Sequence, residues 1–228
     1  MERDENYRIF YENRQAEALS LDEPRRRQLS QWLARFAPSS GGRALDIGCW
    51  MGDFARLLPP DWEKWGIDLE RHPLLPPEVN FCQANLEEEI PVPENSFDLV
   101  FAGEIIEHLK ATQAFLDRCF RVLRSGGLLI LTTPNLSCWL NLWRWYRLGQ
   151  PFCVNSDTGQ DGHLRYLAPL TLKSALQKAG FEVLDLASVG GLEFLRVFPP
   201  LHRLMFKIFP MRGKNLMAAA RRPPIKKC

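Results

Sequence analysis

The chain has 228 residues, of which 46% are apolar and 25% charged, and its formal net charge is +2. This size suits one domain with a real core, and the composition excludes collagen-like, disulfide-dense and wholly disordered chains. The charge is unevenly distributed, because residues 196–228 carry nine bases and no acid, whereas the first 195 residues carry 20 bases and 27 acids. An acidic body with a basic tail allows a membrane surface, a nucleic acid or an anionic substrate as partner.

Cellular location is predicted from what the sequence lacks. The charged N-terminus is not followed by the apolar stretch of a secretory signal, and no segment approaches the roughly 20 apolar residues of a membrane helix. The six cysteines are scattered without CxxC pairs, which is typical of free thiols in a reducing compartment. We therefore expect a cytoplasmic protein, with peripheral contact to a membrane surface as an option.

The first predicted elements are helical. Residues 21–24 combine acids with an early proline, as at a helix start, and an apolar stripe at helical spacing follows at Leu29, Trp32, Leu33 and Phe36. A proline- and glycine-rich stretch at 38–42 ends this part. We predict an N-terminal helical lead at 1–42, followed by one main domain at 43–228.

Short apolar runs alternating with helical patterns predict a parallel sheet covered on both faces. The predicted strands are residues 44–47, 65–68, 79–82, 97–102, 127–133, 181–188 and 215–220. The predicted helices are residues 112–123, 136–152 and 171–179.

The turn after the first strand indicates a ligand site. Gly48 and Gly52 allow close approach of a ligand to the backbone, and Asp46 precedes them. Asp68 ends the second strand, where an acid can bind ribose hydroxyls. The GxGxxG spacing of a dinucleotide site is missing, and Asp46 would repel a pyrophosphate but suits a ligand with ammonium and sulfonium charges.

These features resemble the class I S-adenosylmethionine-dependent methyltransferases, in particular the ubiquinone-biosynthesis-like (type 11) small-molecule enzymes. The matching blocks lie, in order, at residues 45–49 with Gly52, 66–68, 91–100, 104–109, 121–127, 133–135 and 179–181. The resemblance implies an α/β fold, namely a Rossmann-like three-layer αβα sandwich. Its sheet would have seven strands, mostly parallel, with the last strand antiparallel.

The resemblance also implies an S-adenosylmethionine cofactor. Its predicted contacts are Asp46, Gly48, Cys49, Gly52, Asp68, Leu69, Asn85, Leu86, Ala102 and Glu104. Trp50 stands where the family usually has a third glycine, and a positive φ there would strain it by about 1 kcal/mol or more. A non-catalytic adaptor, in which Trp50 blocks the cofactor, is therefore an alternative.

The block from Glu104 to His108 resembles ubiquinone O-methyltransferases and small-RNA 2′-O-methyltransferases, in which a like constellation with a later histidine can hold a divalent cation. The corresponding ligands would be Glu104, Glu107, His108 and His163. Without a metal, His108 or His163 is the natural general base. A purely structural role, with Glu107 and His108 capping a helix, is the other interpretation.

The expected function is methyl transfer to a small-molecule or lipid-linked acceptor, with oxygen favoured over other atoms. A metal-dependent RNA 2′-O-methyltransferase is a further alternative, and nucleic acid ranks below the other partners because the body is acidic. The tryptophan-rich part of a substrate-side segment at 136–168 would line the acceptor pocket or pack as core. A basic amphipathic segment at 195–214 would contact a membrane or dock on the domain.

Overall fold

A computed structural model describes residues 21–149, 163–190 and 207–224. The first described helix, α1, spans Glu23–Phe36. The carboxylate of Asp22 caps it by accepting a hydrogen bond from the backbone N–H of Arg25 at 3.1 Å, and Pro24 lies in the first turn, as predicted. Residues 1–20 of the predicted helical lead lie outside the described residues.

Seven strands form one sheet, as predicted. They are β1 (Arg43–Ile47), β2 (Glu63–Asp68), β3 (Asn80–Gln83), β4 (Phe97–Gly103), β5 (Leu123–Pro134), β6 (Glu182–Val189) and β7 (Asn215–Arg221). Their order across the sheet is β3-β2-β1-β4-β5-β7-β6, and β7 runs antiparallel to both of its neighbours. Strand β5 begins earlier than predicted because Leu123 pairs with Phe97, with an irregular register after that pair and Gly126 at a φ of 84°.

The remaining helices connect the strands. They are α2 (Asp53–Leu57), a 3-10 turn (Ile106–His108), α3 (Thr112–Val122), α4 (Trp139–Leu148) and α5 (Pro169–Lys178). Helix α4 is shorter than the predicted 136–152, because Gly149 ends it in the left-handed conformation at a φ of 71°. Helix α5 begins before the predicted residue 171, because proline is well accommodated in a first helical turn.

Apolar side chains cover both faces of the sheet. Alternate residues of β5 point to opposite sides: Leu129 and Leu131 join the cluster with α3 and α5, and Leu128 and Ile130 join the cluster with α1. Trp32 of α1 is 1% exposed, and its Nε1 donates to Asp185 Oδ2 of β6 at 3.0 Å. The three-layer sandwich implied by the resemblance is confirmed, and α1 packs on the same sheet.

The helices of the described residues include none that is both long and apolar enough to cross a membrane. Of the basic segment predicted at 195–214, residues 195–206 lie outside the described part of the chain. Residues 207–214 lead into β7 and are anchored by Asn135, whose Nδ2 donates to the carbonyls of Met211 at 3.1 Å and Gly213 at 2.8 Å.

Candidate active site

Polar side chains collect where the parallel strands end. The strand order reverses between β1 and β4, and open α/β sheets bind ligands at the carboxyl ends of strands at such a point. Asp46 lies near the end of β1, Asp68 ends β2, and Glu104 directly follows β4. The fold therefore brings these predicted site residues to one edge of the sheet.

The glycine-rich turn after β1 depends on left-handed backbone conformations. Gly48 has a φ of 74° and Gly52 a φ of 77°. A Cβ atom at Gly52 would lie 2.6 Å from Pro76 Cδ, so the position has no room for a side chain. Trp50, between them, has a φ of 41°, so the structure places a tryptophan in the conformation expected of the missing third glycine.

The Asp68 carboxylate organises this turn. Its Oδ2 accepts the backbone N–H of Trp50 at 2.9 Å, and its Oδ1 accepts that of Leu69 at 2.7 Å. Burial raises the pKa of Asp68, while these two N–H donors act in the opposite direction. Both carboxylate oxygens retain further lone pairs, so a ligand hydroxyl could still donate to them.

Asp46 is a second buried acid, 4% exposed. Burial, with the carboxylates of Asp68 and Asp53, raises the pKa of Asp46 well above its ordinary value. A cationic ligand would favour the ionised forms of Asp46 and Asp68. The residues thus fit S-adenosylmethionine, whose sulfonium and ammonium groups are both positive.

The other predicted cofactor contacts differ in what they can offer. The side chains of Cys49, Leu86 and Ala102 are buried among apolar residues, so these positions offer a ligand apolar surface and backbone groups. Leu69 is 38% exposed. The side chain of exposed Asn85 is hydrogen-bonded within its own turn, where Oδ1 accepts the backbone N–H of residue 87 at 3.1 Å.

Glu104 is held by partners within the protein. Its Oε1 accepts a hydrogen bond from the hydroxyl of Thr132 at 2.7 Å and lies 3.3 Å from Nη1 of Arg25. The guanidinium of Arg25 also pairs with Asp22 through Nε. Burial raises the pKa of Glu104, and Arg25 opposes this shift. Glu104 has a φ of 51°, an uncommon conformation outside glycine.

Three of the four predicted cation ligands come together. In the described part of the chain, the ligand atoms that lie within 4.8 Å of one another belong to Glu107, His108 and His163, and Glu104 stays outside this group. The two imidazole rings meet edge to face with centroids 4.7 Å apart. The backbone N–H groups of Leu164 and Arg165 donate to the Glu107 carbonyl, which ties the histidine segment to the 3-10 turn.

Glu107 is buried behind the imidazoles, with 1% of its surface exposed. Its Oε2 accepts the hydroxyl of Thr133 at 2.9 Å, whereas its Oε1 accepts no hydrogen bond from the described residues. Burial and the Glu104 carboxylate raise the pKa of Glu107 well above its usual range. Such a carboxyl group can share a proton with an imidazole or ligate a cation.

Sequence reasoning missed Arg25, Thr132 and Thr133. The two threonines carried a usable signal, because they are polar residues that end an otherwise apolar predicted strand. Arg25 carried none, because its contact with Glu104 depends on how α1 packs on the sheet.

Comparison with known proteins decides the family. A family model described as a methyltransferase domain matches residues 21–186, which include α1 and the two histidines of the cluster, His108 and His163. The chain belongs to the class I S-adenosylmethionine-dependent methyltransferases. S-adenosylmethionine is the cofactor of this methyltransferase family.

Several named relatives share part of this methyltransferase sequence. It is 32% identical over 163 residues to a protein of Mycolicibacterium smegmatis named as a probable S-adenosylmethionine-dependent methyltransferase, covering 68% of this chain and 58% of the relative. It is 27% identical over 169 residues to the mitochondrial ubiquinone biosynthesis O-methyltransferase of Mus musculus, covering 67% and 44%. The chain thus spans about half the length of these two relatives.

A solved structure shares the methyltransferase fold. It is the Burkholderia thailandensis 1,6-didemethyltoxoflavin-N1-methyltransferase with bound 1,6-didemethyltoxoflavin and S-adenosylhomocysteine. The TM-score is 0.65 at 18% identity, over 97% of this chain and 87% of that one. At this identity the likeness shows the fold alone.

Proposed function

We propose that this methyltransferase transfers a methyl group from S-adenosylmethionine to a hydroxyl oxygen of a small-molecule or lipid-linked acceptor. The observation that carries the proposal is the cluster of Glu107, His108 and His163 at the same sheet edge as Asp46 and Asp68. The similarity to ubiquinone biosynthesis O-methyltransferases supports oxygen as the acceptor atom.

The cofactor side of the site consists of the acids and the glycine-rich turn. When bound, S-adenosylmethionine supplies a methyl group activated by its sulfonium charge. Asp68 would accept hydrogen bonds from the ribose hydroxyls of the cofactor, and Asp46 with Gly48 would face its methionine end. The charge of the two carboxylates favours this ligand over a phosphate-bearing nucleotide.

The acceptor side consists of the histidine cluster. As the acceptor oxygen bonds to the methyl carbon and the carbon–sulfur bond breaks, the hydroxyl proton must leave, and His108 or His163 takes it. A carboxylate oxygen of Glu107 lies within 4.8 Å of a nitrogen of each imidazole, and Thr133 donates to its Oε2, so Glu107 would act on the base at short range. Held near the methyl group, the acceptor reacts in an effectively unimolecular step.

The same three side chains offer donors that a divalent cation accepts. We assign the cluster to proton transfer, because the fourth expected ligand, Glu104, is engaged by Arg25 and Thr132. Methyl transfer should therefore continue after treatment with a chelator. Activity that is lost on chelation and restored by Mg²⁺, Mn²⁺ or Zn²⁺ would assign the cluster to a cation.

The test is transfer of labelled methyl groups to a panel of catechol lipids, glycolipids and RNA. Hydroxylated lipids should be labelled and RNA should not. Of the variants His108→Asn and His163→Asn, the one that removes the base should lower kcat by about 10²–10⁴-fold. Their affinity for S-adenosylhomocysteine should stay close to that of the native protein.

The control is His72→Asn, which removes an imidazole that lies against Trp50 rather than in the cluster. This variant should retain kcat. Labelling of RNA alone, or full kcat in both cluster variants, would contradict the proposal.

A further inference from the structure

Helix α4 leaves an unusual amount of apolar surface uncovered. Only Asn141 of this helix is buried. Its large apolar residues that are more than a third exposed are Leu140, Leu142, Trp143, Trp145, Tyr146 and Leu148, and Tyr146 is 88% exposed. Contiguous exposed apolar residues of this size mark sites of protein or membrane contact.

A second segment extends this surface. Ile208 and Phe209 are also exposed, and the Phe209 ring packs edge to face on Trp139 with centroids 5.0 Å apart. The backbone N–H of Trp139 donates to the Arg212 carbonyl at 3.1 Å, and Arg212 Nη1 donates to the Ser137 carbonyl at 2.9 Å. These contacts hold residues 207–212 beside the N-terminal end of α4, and the exposed residues of the two segments are named here the aromatic–basic surface.

All formal charge on the aromatic–basic surface is positive. The chain has no acidic residue between Asp117 and Asp157, or after Glu193. The cations on or beside this surface are Arg144, Arg147, Lys207, Arg212 and Lys214. A partner that matches it must therefore combine an apolar layer with negative charge.

We propose that the aromatic–basic surface binds the face of an anionic lipid bilayer. Tryptophan and tyrosine favour the boundary between headgroups and acyl chains, and lysine and arginine are attracted to anionic headgroups. The association is peripheral, because the described residues hold no helix suited to crossing a bilayer. Helix α4 follows β5 at the carboxyl edge, so docking brings the site near the lipid.

This inference deepens the proposed function and rests on it only for the lipid acceptor. It also adds α4 to the expected membrane contact, which the sequence pattern placed at residues 195–214, because the exposed tryptophan and tyrosine side chains of the described residues lie on α4. Lipid binding is measured without methyl transfer, so the two proposals can fail separately.

The experiment is co-sedimentation of the full chain with phosphatidylcholine vesicles, with and without about 30 mol% phosphatidylglycerol. The native protein should bind the anionic vesicles, and added salt should weaken the binding. The double variant Trp143→Gln/Trp145→Gln should lower the partition coefficient about tenfold or more, because it removes the aromatic anchors. The variant Arg147→Glu should lower it mainly at low salt.

The control variants change residues elsewhere that are at least as exposed as Trp143 and Trp145. Leu74 is 61% exposed and Leu170 80% exposed, so Leu74→Gln/Leu170→Gln should leave vesicle binding unchanged. Arg27→Glu on α1 is the charge control. Every variant should bind S-adenosylhomocysteine like the native protein, and loss of that binding in the native protein would count against the proposed function instead.

Three results would overturn the inference. The first is a native protein that stays in the supernatant with anionic vesicles, and the second is a tryptophan double variant that sediments as well as the native protein. The third is a dimer, seen by light scattering, that Trp143→Gln/Trp145→Gln dissociates while no vesicle binding occurs. That outcome would assign the aromatic–basic surface to a second copy of the chain.

Discussion

Trp50 offers the sharpest test of the backbone at the cofactor turn. Its φ of 41° is left-handed, its N–H donates to Asp68, and its ring lies 4.4 Å from that of His72. The paired variants Trp50→Gly and Trp50→Ala both lose the indole. They differ in the Cβ atom, so their comparison isolates the backbone conformation.

The expected difference follows from two opposing effects. A residue with a Cβ in the left-handed region costs about 1–2 kcal/mol, which glycine avoids. Glycine loses about 0.5–1 kcal/mol more conformational entropy on folding than alanine. The free energy of unfolding of Trp50→Gly should therefore be about 0.5–1 kcal/mol higher than that of Trp50→Ala, so the glycine variant is the more stable of the two.

Urea denaturation followed by circular dichroism measures this difference, provided that the denaturant slope is unchanged. Neighbouring Met51 is the control, because its backbone φ is not positive. There the order should reverse, with Met51→Gly less stable than Met51→Ala. Equal stability of the two Trp50 variants, or a more stable alanine variant, would refute strain at Trp50.

Three further predictions concern the acids of the site. Asp46→Asn should raise the free energy of unfolding at pH 8 and much less at pH 4, measured by urea melts at both values. The pKa of Asp46 is raised in the folded protein, so ionisation of its carboxyl group lowers the free energy of unfolding as the pH rises through that pKa. Below the pKa of about 4 in the unfolded chain the carboxyl group is protonated and causes no such loss, and asparagine, which does not ionise, avoids the loss at any pH. Arg25→Met should cost about 2 kcal/mol at pH 8, and adding Glu104→Gln should restore most of it in a double-mutant cycle. Thr133→Val should cost about 1–3 kcal/mol in the same denaturation assay, because it removes the hydroxyl that donates to Glu107, and full stability would contradict this contact.

The sheet could be predicted from sequence because its signals are local. Strand β4 has an apolar run that ends near its predicted boundary, and β7 was correctly expected to be antiparallel from the family resemblance. A positive φ at Trp50 was considered only as a condition attached to the family's glycine position, and the structure meets that condition.

Contacts between distant segments could not be predicted. The ion pair of Arg25 with Glu104 joins two elements that no local pattern connects, so Glu104 was considered as a cofactor contact or a cation ligand instead. Helix α4 was predicted from its composition, but whether its tryptophans line a pocket, pack as core or face outward depends on the layer above them. In the structure, Trp143 and Trp145 are more than half exposed.

Calorimetric titration of S-adenosylmethionine tests the central claim most directly. The native protein should bind one equivalent, and Asp68→Asn should weaken binding about 100-fold, because it removes a charged acceptor for the ribose hydroxyls. The control Glu70→Gln makes the same chemical change two residues away and should bind like the native protein. No binding by the native protein, or native affinity in folded Asp68→Asn, would contradict the account.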